Sequence, residues 1–189
     1  NHKIKYKEIT YNDRVAKVSI VGAGMVSTPG ITYKMFRGLA DDKINIYASN
    51  FKDTLSLDIN NLNVDKRGWK KYVLGCVKVF MQYYNVNRGF NILIGGNIPI
   101  GFGMSSSAAL EVSLLGALIS SLEKPIDNNR ILKLSNKVEQ EFLGIKSGFL
   151  DQYASIFSKN NQPLLINFST LSHKYIHSNI KGASWILIN

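Results

Sequence analysis

PIGFGMSSSAALEV, Pro99 to Val112, places small residues and three consecutive serines immediately ahead of an Ala/Leu-rich stretch that reads as a helix. A helix start leaves backbone amides without intrahelical partners and carries the positive end of the helix dipole, so such a turn can converge on a phosphate. Gly101 and Gly103 permit close backbone approach. The turn is not a Walker A loop, because no Gly-Lys-Ser/Thr closes it. The same residues also read as a serine-rich cap on an ordinary core helix, and physics alone leaves both readings open.

Farther along, KVEQEFLGIKSGFLDQYASIF (137–157) supplies two carboxylates: Glu139 on a helix, and Asp151 after a Ser-Gly turn at the start of another apolar run. An Asp in that place also reads as an N-cap. Joined to an anion loop, two carboxylates suggest phosphoryl transfer, one holding Mg²⁺ and one facing the acceptor hydroxyl.

An earlier glycine loop, VSIVGAGMVSTPG (18–30), invites a dinucleotide reading that its details oppose. Ser27 stands where the third glycine belongs, and Asp41 and Asp42 fall at a helix end rather than after the next strand.

Around these motifs the pattern predicts a strand over 16–22, a helix from Gly30, and strands in INIYASNF (44–51) and DTLSLDI (53–59). A helix is expected from Trp69 to Tyr84, a strand in GFNILIGGNIP, a helix from Arg130 to Phe142, and strands in PLLINF and WILIN. The mixture is α+β, without internal repeats.

Composition narrows the classes. The 189 residues are 45% hydrophobic, enough for one substantial core. The formal charge of +10 admits an anionic partner, but the basic residues are dispersed, and DKRGWKKY (65–72) reads as the solvated start of a helix, so no nucleic-acid partner is expected. The single cysteine, Cys76, excludes an internal disulfide and points to a reducing compartment. The opening NHKIKYKEITYNDR lacks the apolar centre of a secretory signal, and no apolar run reaches the roughly 18 residues of a membrane span. A cytoplasmic protein without membrane partners is expected. The end of the chain inside ASWILIN reads as a cut, so a fragment is expected too.

Four ordered segments carry a resemblance: RGWKKYVLG (67–75), GNIPIGFGMSSSAALEV (96–112), VEQEFLGIKSGFLDQ (138–152) and PLLINFSTLSHKYI (163–176). Over about residues 45–189 the chain resembles the galactokinases of the GHMP small-molecule kinase family. The resemblance implies a GHMP-kinase N-terminal domain with a left-handed β-α-β unit like that of a ribosomal-protein domain. It implies transfer of the ATP γ-phosphate to the 1-hydroxyl of galactose. By position, Gly101, Phe102, Gly103, Met104, Ser105, Ser106 and Ser107 would wrap the ATP phosphates, and Trp69 would lie near the adenine. Ser107 and Glu139 would hold Mg²⁺, Gly148 would lie against the sugar, and Asp151 would remove or orient the acceptor proton. Ser147 and Gln140 are mild departures from the family's pattern. The family's arginine-bearing segment, of the type Gly-Arg-Val-Asn-Leu-Ile-Gly-Glu-His-Thr-Asp-Tyr, has no counterpart, and its glycine-rich third motif is also missing. Little or no activity is therefore expected of this chain alone, and a sensor that binds sugar and ATP without turnover is a further alternative.

The place of that arginine segment is taken by VAKVSIVGAGMVSTPGITYKMFRGLADDKINI (15–46), and over about residues 8–46 the chain resembles the regulatory ACT region of aspartate kinases. This implies an amino-acid effector near Met25, Ser27, Thr28 and Gly30; a β-α-β appendage without a ligand is the alternative. Such units pair, so a monomer or weak dimer is expected. The expected organisation is an ACT-like segment over 1–46 and a truncated kinase domain over 47–189, joined by fusion or recombination within INIYAS.

Overall fold

The computed structural model describes residues 17–19, 42–62, 67–160 and 162–177. The remaining predicted elements, the helix from Gly30 and the WILIN strand, lie outside the described residues, as do Met25, Ser27, Thr28 and Gly30.

Alternation builds the sheet. In β2 (Lys43–Ala48) Ile44, Ile46 and Ala48 turn inward, and in β3 (Asp53–Asp58) Leu55 and Leu57 do the same. A tight turn joins them, with Phe51 N–H donating to Ala48 C=O at 3.2 Å and Lys52 at a φ of +50°. That turn ends the strand expected over 44–51 at Ala48. β1 (Lys17–Ser19) and β4 (Phe90–Ile94) complete an order β1-β4-β2-β3, with β1, β4 and β2 parallel and β3 antiparallel on the edge. Ile46 stands opposite Ile92 and Asn45 opposite Asn91.

Helices pack on the inward face. α1 (Trp69–Tyr84) matches its expected bounds and buries Val73, Leu74, Val77 and Phe80. It stops at Asn85, whose left-handed conformation (φ 51°, ψ 46°) lets its N–H donate to Met81 C=O. α2 (Ser106–Ser120) buries Leu114, Leu115 and Leu118 in the same core as Ile44 and Ile92. α3 (Asn128–Lys137) is capped by the Asp127 carboxylate, which accepts from the N–H groups of Asn129 and Arg130 at 3.0 and 3.2 Å.

The expected helix 130–142 does not end as an α-helix. Val138–Phe142 widens into a π-turn. Opposite it stands Gly75 of α1, where a Cβ would lie 2.7 Å from Val138 Cγ1 and 3.2 Å from Phe142 Cδ1. The close approach of these two segments is possible only because residue 75 has no side chain.

α4 (Leu150–Phe157) packs against α2 and α3. β5 (Leu164–Asn167) and β6 (Ser172–Tyr175) form a separate antiparallel hairpin. Tyr153 anchors the hairpin to α4: its hydroxyl donates to Leu171 C=O at 3.1 Å and meets His173 Nδ1 at 2.8 Å.

Candidate functional site

Three residues of the serine loop occupy left-handed backbone space: Gly101 (φ +85°), Gly103 (+69°) and Ser105 (+53°). A Cβ at either glycine would meet nothing within 4 Å, so glycine is required there by conformation rather than by space. The loop delivers the chain into α2 with no side-chain cap and no acidic residue in the first turn. The leading amides of α2 are thus left for a partner outside the helix.

Those amides open onto a cleft of about 530 Å³ between α1, α2 and the β2–β3 turn. Trp69, Lys71, Gly101, Ser106 and Ser107 line it. Trp69 stacks on Phe51 at 6.0 Å between ring centroids with planes 10° apart. Lys71 brings positive charge to the wall, its ammonium 4.9 Å from the Tyr72 ring centroid. Asn50 ties the β2–β3 turn to the start of the loop: its Nδ2 donates to Gly96 C=O at 2.6 Å, and its Oδ1 accepts from Gly96 N–H at 3.0 Å.

A second polar group lies in the core. Glu111 follows Ser107 by one helical turn and is fully buried. Burial pushes its carboxyl up to about 8, and the Glu139 carboxylate adds to the rise. Glu139 sits on the π-turn, 6% exposed, and accepts a hydrogen bond from Ser147 Oγ. The strand of chain that follows is strapped down by Gln140 Nε2, donating to Ser147 C=O at 3.0 Å, and by Asn136 Nδ2, donating to Gly148 C=O at 3.4 Å.

Of the residues singled out in the sequence, Trp69, Gly101, Ser106 and Ser107 meet around the cleft. Phe102, Gly103, Met104 and Ser105 lie on the same loop outside its lining, with Phe102 and Met104 each 49% exposed. Glu139, Gly148 and Asp151 do not line this cleft. Asp151 is an exposed residue in the first turn of α4. It is not the N-cap: Phe149 holds that position, and no side chain bonds the helix start. Phe51, Asn50, Lys71, Glu111 and Gln152 were not anticipated. An acidic residue inside SSAALEVSLLGALIS, one turn after a loop serine, was a readable signal for Glu111.

Residues 71–159 match the GHMP kinases N terminal domain. Residues 18–51 match an ACT domain, so both resemblances seen in the sequence, and the α+β class, are borne out. The chain is 36% identical over 149 residues to a galactokinase of Ligilactobacillus salivarius and 32% identical over 149 residues to one of Lactobacillus helveticus. Each alignment covers 76% of this chain and 38% of the relative. Among solved structures, Lactococcus lactis galactokinase complexed with galactose superposes with a TM-score of 0.65 at 28% identity, over 74% of this chain and 37% of that one. The chain thus spans about two fifths of the length of the curated relatives it matches.

The amides and hydroxyls of the serine loop suit the phosphates of a magnesium nucleotide. Among the described residues no group of three or more His, Cys, Asp and Glu could hold a metal ion by itself. Mg²⁺ needs no such cage, since it binds through one or two protein groups and completes its octahedron with phosphate oxygens and water. No helix among the described residues is long and apolar enough to cross a membrane.

Proposed function

We propose that the protein to which this chain belongs phosphorylates galactose at its 1-hydroxyl from ATP, and that residues 47–189 contribute the nucleotide side of that site and its acceptor-side carboxylate. The observation that carries this reading is the uncapped start of α2 opening onto the Trp69 cleft. The amides of α2 offer donors to the phosphates, and Lys71 adds charge of the required sign. Trp69, already stacked on Phe51, presents an aromatic surface for the adenine. Ser107 and Glu139 would hold Mg²⁺, which when bound neutralises charge on the transferring phosphoryl group. Ser147 orients the Glu139 carboxylate by donating to it. On the acceptor side the Asp151 carboxylate receives a hydrogen bond from the sugar 1-hydroxyl, as base or as orienting group. Gly148 leaves room for the sugar, since a Cβ there would meet nothing within 4 Å. The similarity to galactokinases, one of them solved with galactose, supports the sugar; a cytoplasmic monomer or weak dimer belongs to the same reading.

The test is incubation of the purified chain with Mg·ATP and galactose, following ADP and the phosphorylated sugar, with calorimetry for each ligand. Expected is saturable Mg·ATP binding and galactose-dependent turnover below the roughly 1–100 per second of ordinary kinases, because the arginine-bearing segment is missing. A folded chain that binds neither ligand contradicts the reading.

The ACT match supports a second reading, an amino-acid effector site on the segment proposed for residues 1–46, with Met25, Ser27, Thr28 and Gly30 as contacts. Saturable lysine or threonine binding, lost in Ser27→Ala with Thr28→Ala, supports it; no binding to the folded chain opposes it.

A further inference from the structure

Ala48 is the last residue of β2 in register with β4, opposite Ile94. One more backbone bond follows, from Ser49 N–H to Ile94 C=O at 2.8 Å, and the Ser49 hydroxyl donates to the same carbonyl at 3.0 Å. Gly96, two residues past the end of β4, is then met by a side chain in place of a strand. The Asn50 amide takes both of its backbone groups: Nδ2 donates to Gly96 C=O at 2.6 Å, and Oδ1 accepts from Gly96 N–H at 3.0 Å. A primary amide carries donor and acceptor side by side, as a peptide group does; Ala and an ionised Asp carry no side-chain donor.

The residue after Asn50 is Phe51, which is 45% exposed and stacks on Trp69. Inside the turn, Phe51 N–H and Lys52 N–H reach back to Ala48 and Ser49 C=O at 3.2 and 3.3 Å, bonds that shape the turn without fixing its tilt. The tilt is set by ties to the neighbours: Asn50 to Gly96 on one side, and on the other Asp53, whose carboxylate pairs with Lys70 of α1 at 2.8 Å. Asn50, Phe51, Trp69, Gly96 and Gly101 line one cleft, so the Asn50 amide stands where the aromatic wall meets the chain that runs into the serine loop. We propose that Asn50 is a positioning residue for the nucleoside half of the cleft. It holds Phe51 against Trp69 at a set distance from the serine loop, so that the cleft takes a base-bearing triphosphate in preference to a bare polyphosphate. The phosphate donors themselves belong to the start of α2, at the other end of the segment from Gly96. The inference rests on the kinase reading for its ligand, whereas the hold on Phe51 is tested without nucleotide.

The experiment uses the 189-residue chain and its Asn50→Ala, Trp69→Ala and doubly substituted variants, with Mg·ATP and Mg·tripolyphosphate affinities from calorimetry. Asn50→Ala weakens Mg·ATP by about 3–20-fold, a share of what base stacking supplies, and leaves Mg·tripolyphosphate within about twofold. In the Trp69→Ala background the Asn50→Ala change costs no more than about twofold, because the two act through one platform. Equal loss of both ligands overturns the inference, as does an additive double variant. The second measurement is acrylamide quenching of Trp69 fluorescence in a Trp185→Phe background, which removes the other of the two tryptophans. Quenching rises in Phe51→Ala and in Asn50→Ala, since each uncovers the indole; a value equal to the parent's in either variant overturns the hold. Should Asn50→Ala not fold, Asn50→Asp, which keeps the acceptor for Gly96 N–H and loses the donor, replaces it in the quenching measurement with the same two outcomes. If the parent binds no Mg·ATP, the kinase reading fails while quenching still judges the hold on Phe51.

Discussion

Gly75→Ala should disturb the site from a distance. Its new Cβ would stand 2.7 Å from Val138 Cγ1 and 3.2 Å from Phe142 Cδ1, and Val138 is fully buried. A β-branched side chain has essentially one rotamer in such a setting, so the strain passes to the π-turn backbone that carries Glu139. Overpacking of this kind costs about 1–3 kcal/mol. Replacing a mid-helix glycine by alanine returns about 1 kcal/mol. The net is a loss of up to about 2 kcal/mol, or a thermal midpoint lowered by as much as about 8 °C for a chain of this size. Gly116→Ala is the control: its Cβ would sit 3.5 Å from Ile131 Cδ1, an ordinary contact, so only the helix gain of up to about 1 kcal/mol remains. Urea and thermal unfolding followed by circular dichroism, with Mg·ATP calorimetry on both variants, measure the difference. Gly75→Ala should be the less stable and the weaker binder. Equal stability gains in the two variants, with equal Mg·ATP affinity, would refute the argument.

Glu111 sets a pH dependence. Its carboxyl is raised from 4.5 to about 8 by burial first and Glu139 second, so the folded state holds a proton that the unfolded state releases. The stability it contributes is fully present below pH 4.5 and is lost as pH rises through about 8, with a slope of up to about 1.4 kcal/mol per pH unit between. Urea midpoints across that range should fall with pH in the parent, and lose this component of the slope in Glu111→Gln. Gly103→Ala forces a side chain into φ +69° without a clash, costing about 1–2 kcal/mol, read as a lowered urea midpoint. Trp69→Ala removes the ring stacked on Phe51 and should weaken Mg·ATP binding by about 5–100-fold while leaving α1 folded by circular dichroism.

What could be read from the sequence depended on how local the deciding interaction is. α1 was legible because Val73, Val77 and Phe80 repeat at helical spacing, and β3 because Leu55 and Leu57 alternate with polar residues. The π-turn was not, since it depends on the meeting of Gly75 with Val138, far apart in the chain. β6 is SHKY, without an apolar run, and exists through its pairing with β5 and the Tyr153–His173 contact. α4 is eight residues long and uncapped, which left Asp151 readable as a cap it does not form. In the candidate site, the loop glycines announced themselves by composition. Asn50, by contrast, matters only because the β2–β3 turn folds back onto Gly96.

The most direct test of the nucleotide site is a titration of Mg·ATP into the parent chain, Ser107→Ala and Glu139→Ala, each shown to be folded by circular dichroism. The account predicts saturable binding to the parent, weakened by about tenfold or more in each variant, as expected when a group that holds a charged ligand is removed. Undiminished binding in both variants would place the nucleotide elsewhere, and no binding to a folded parent would contradict the central claim.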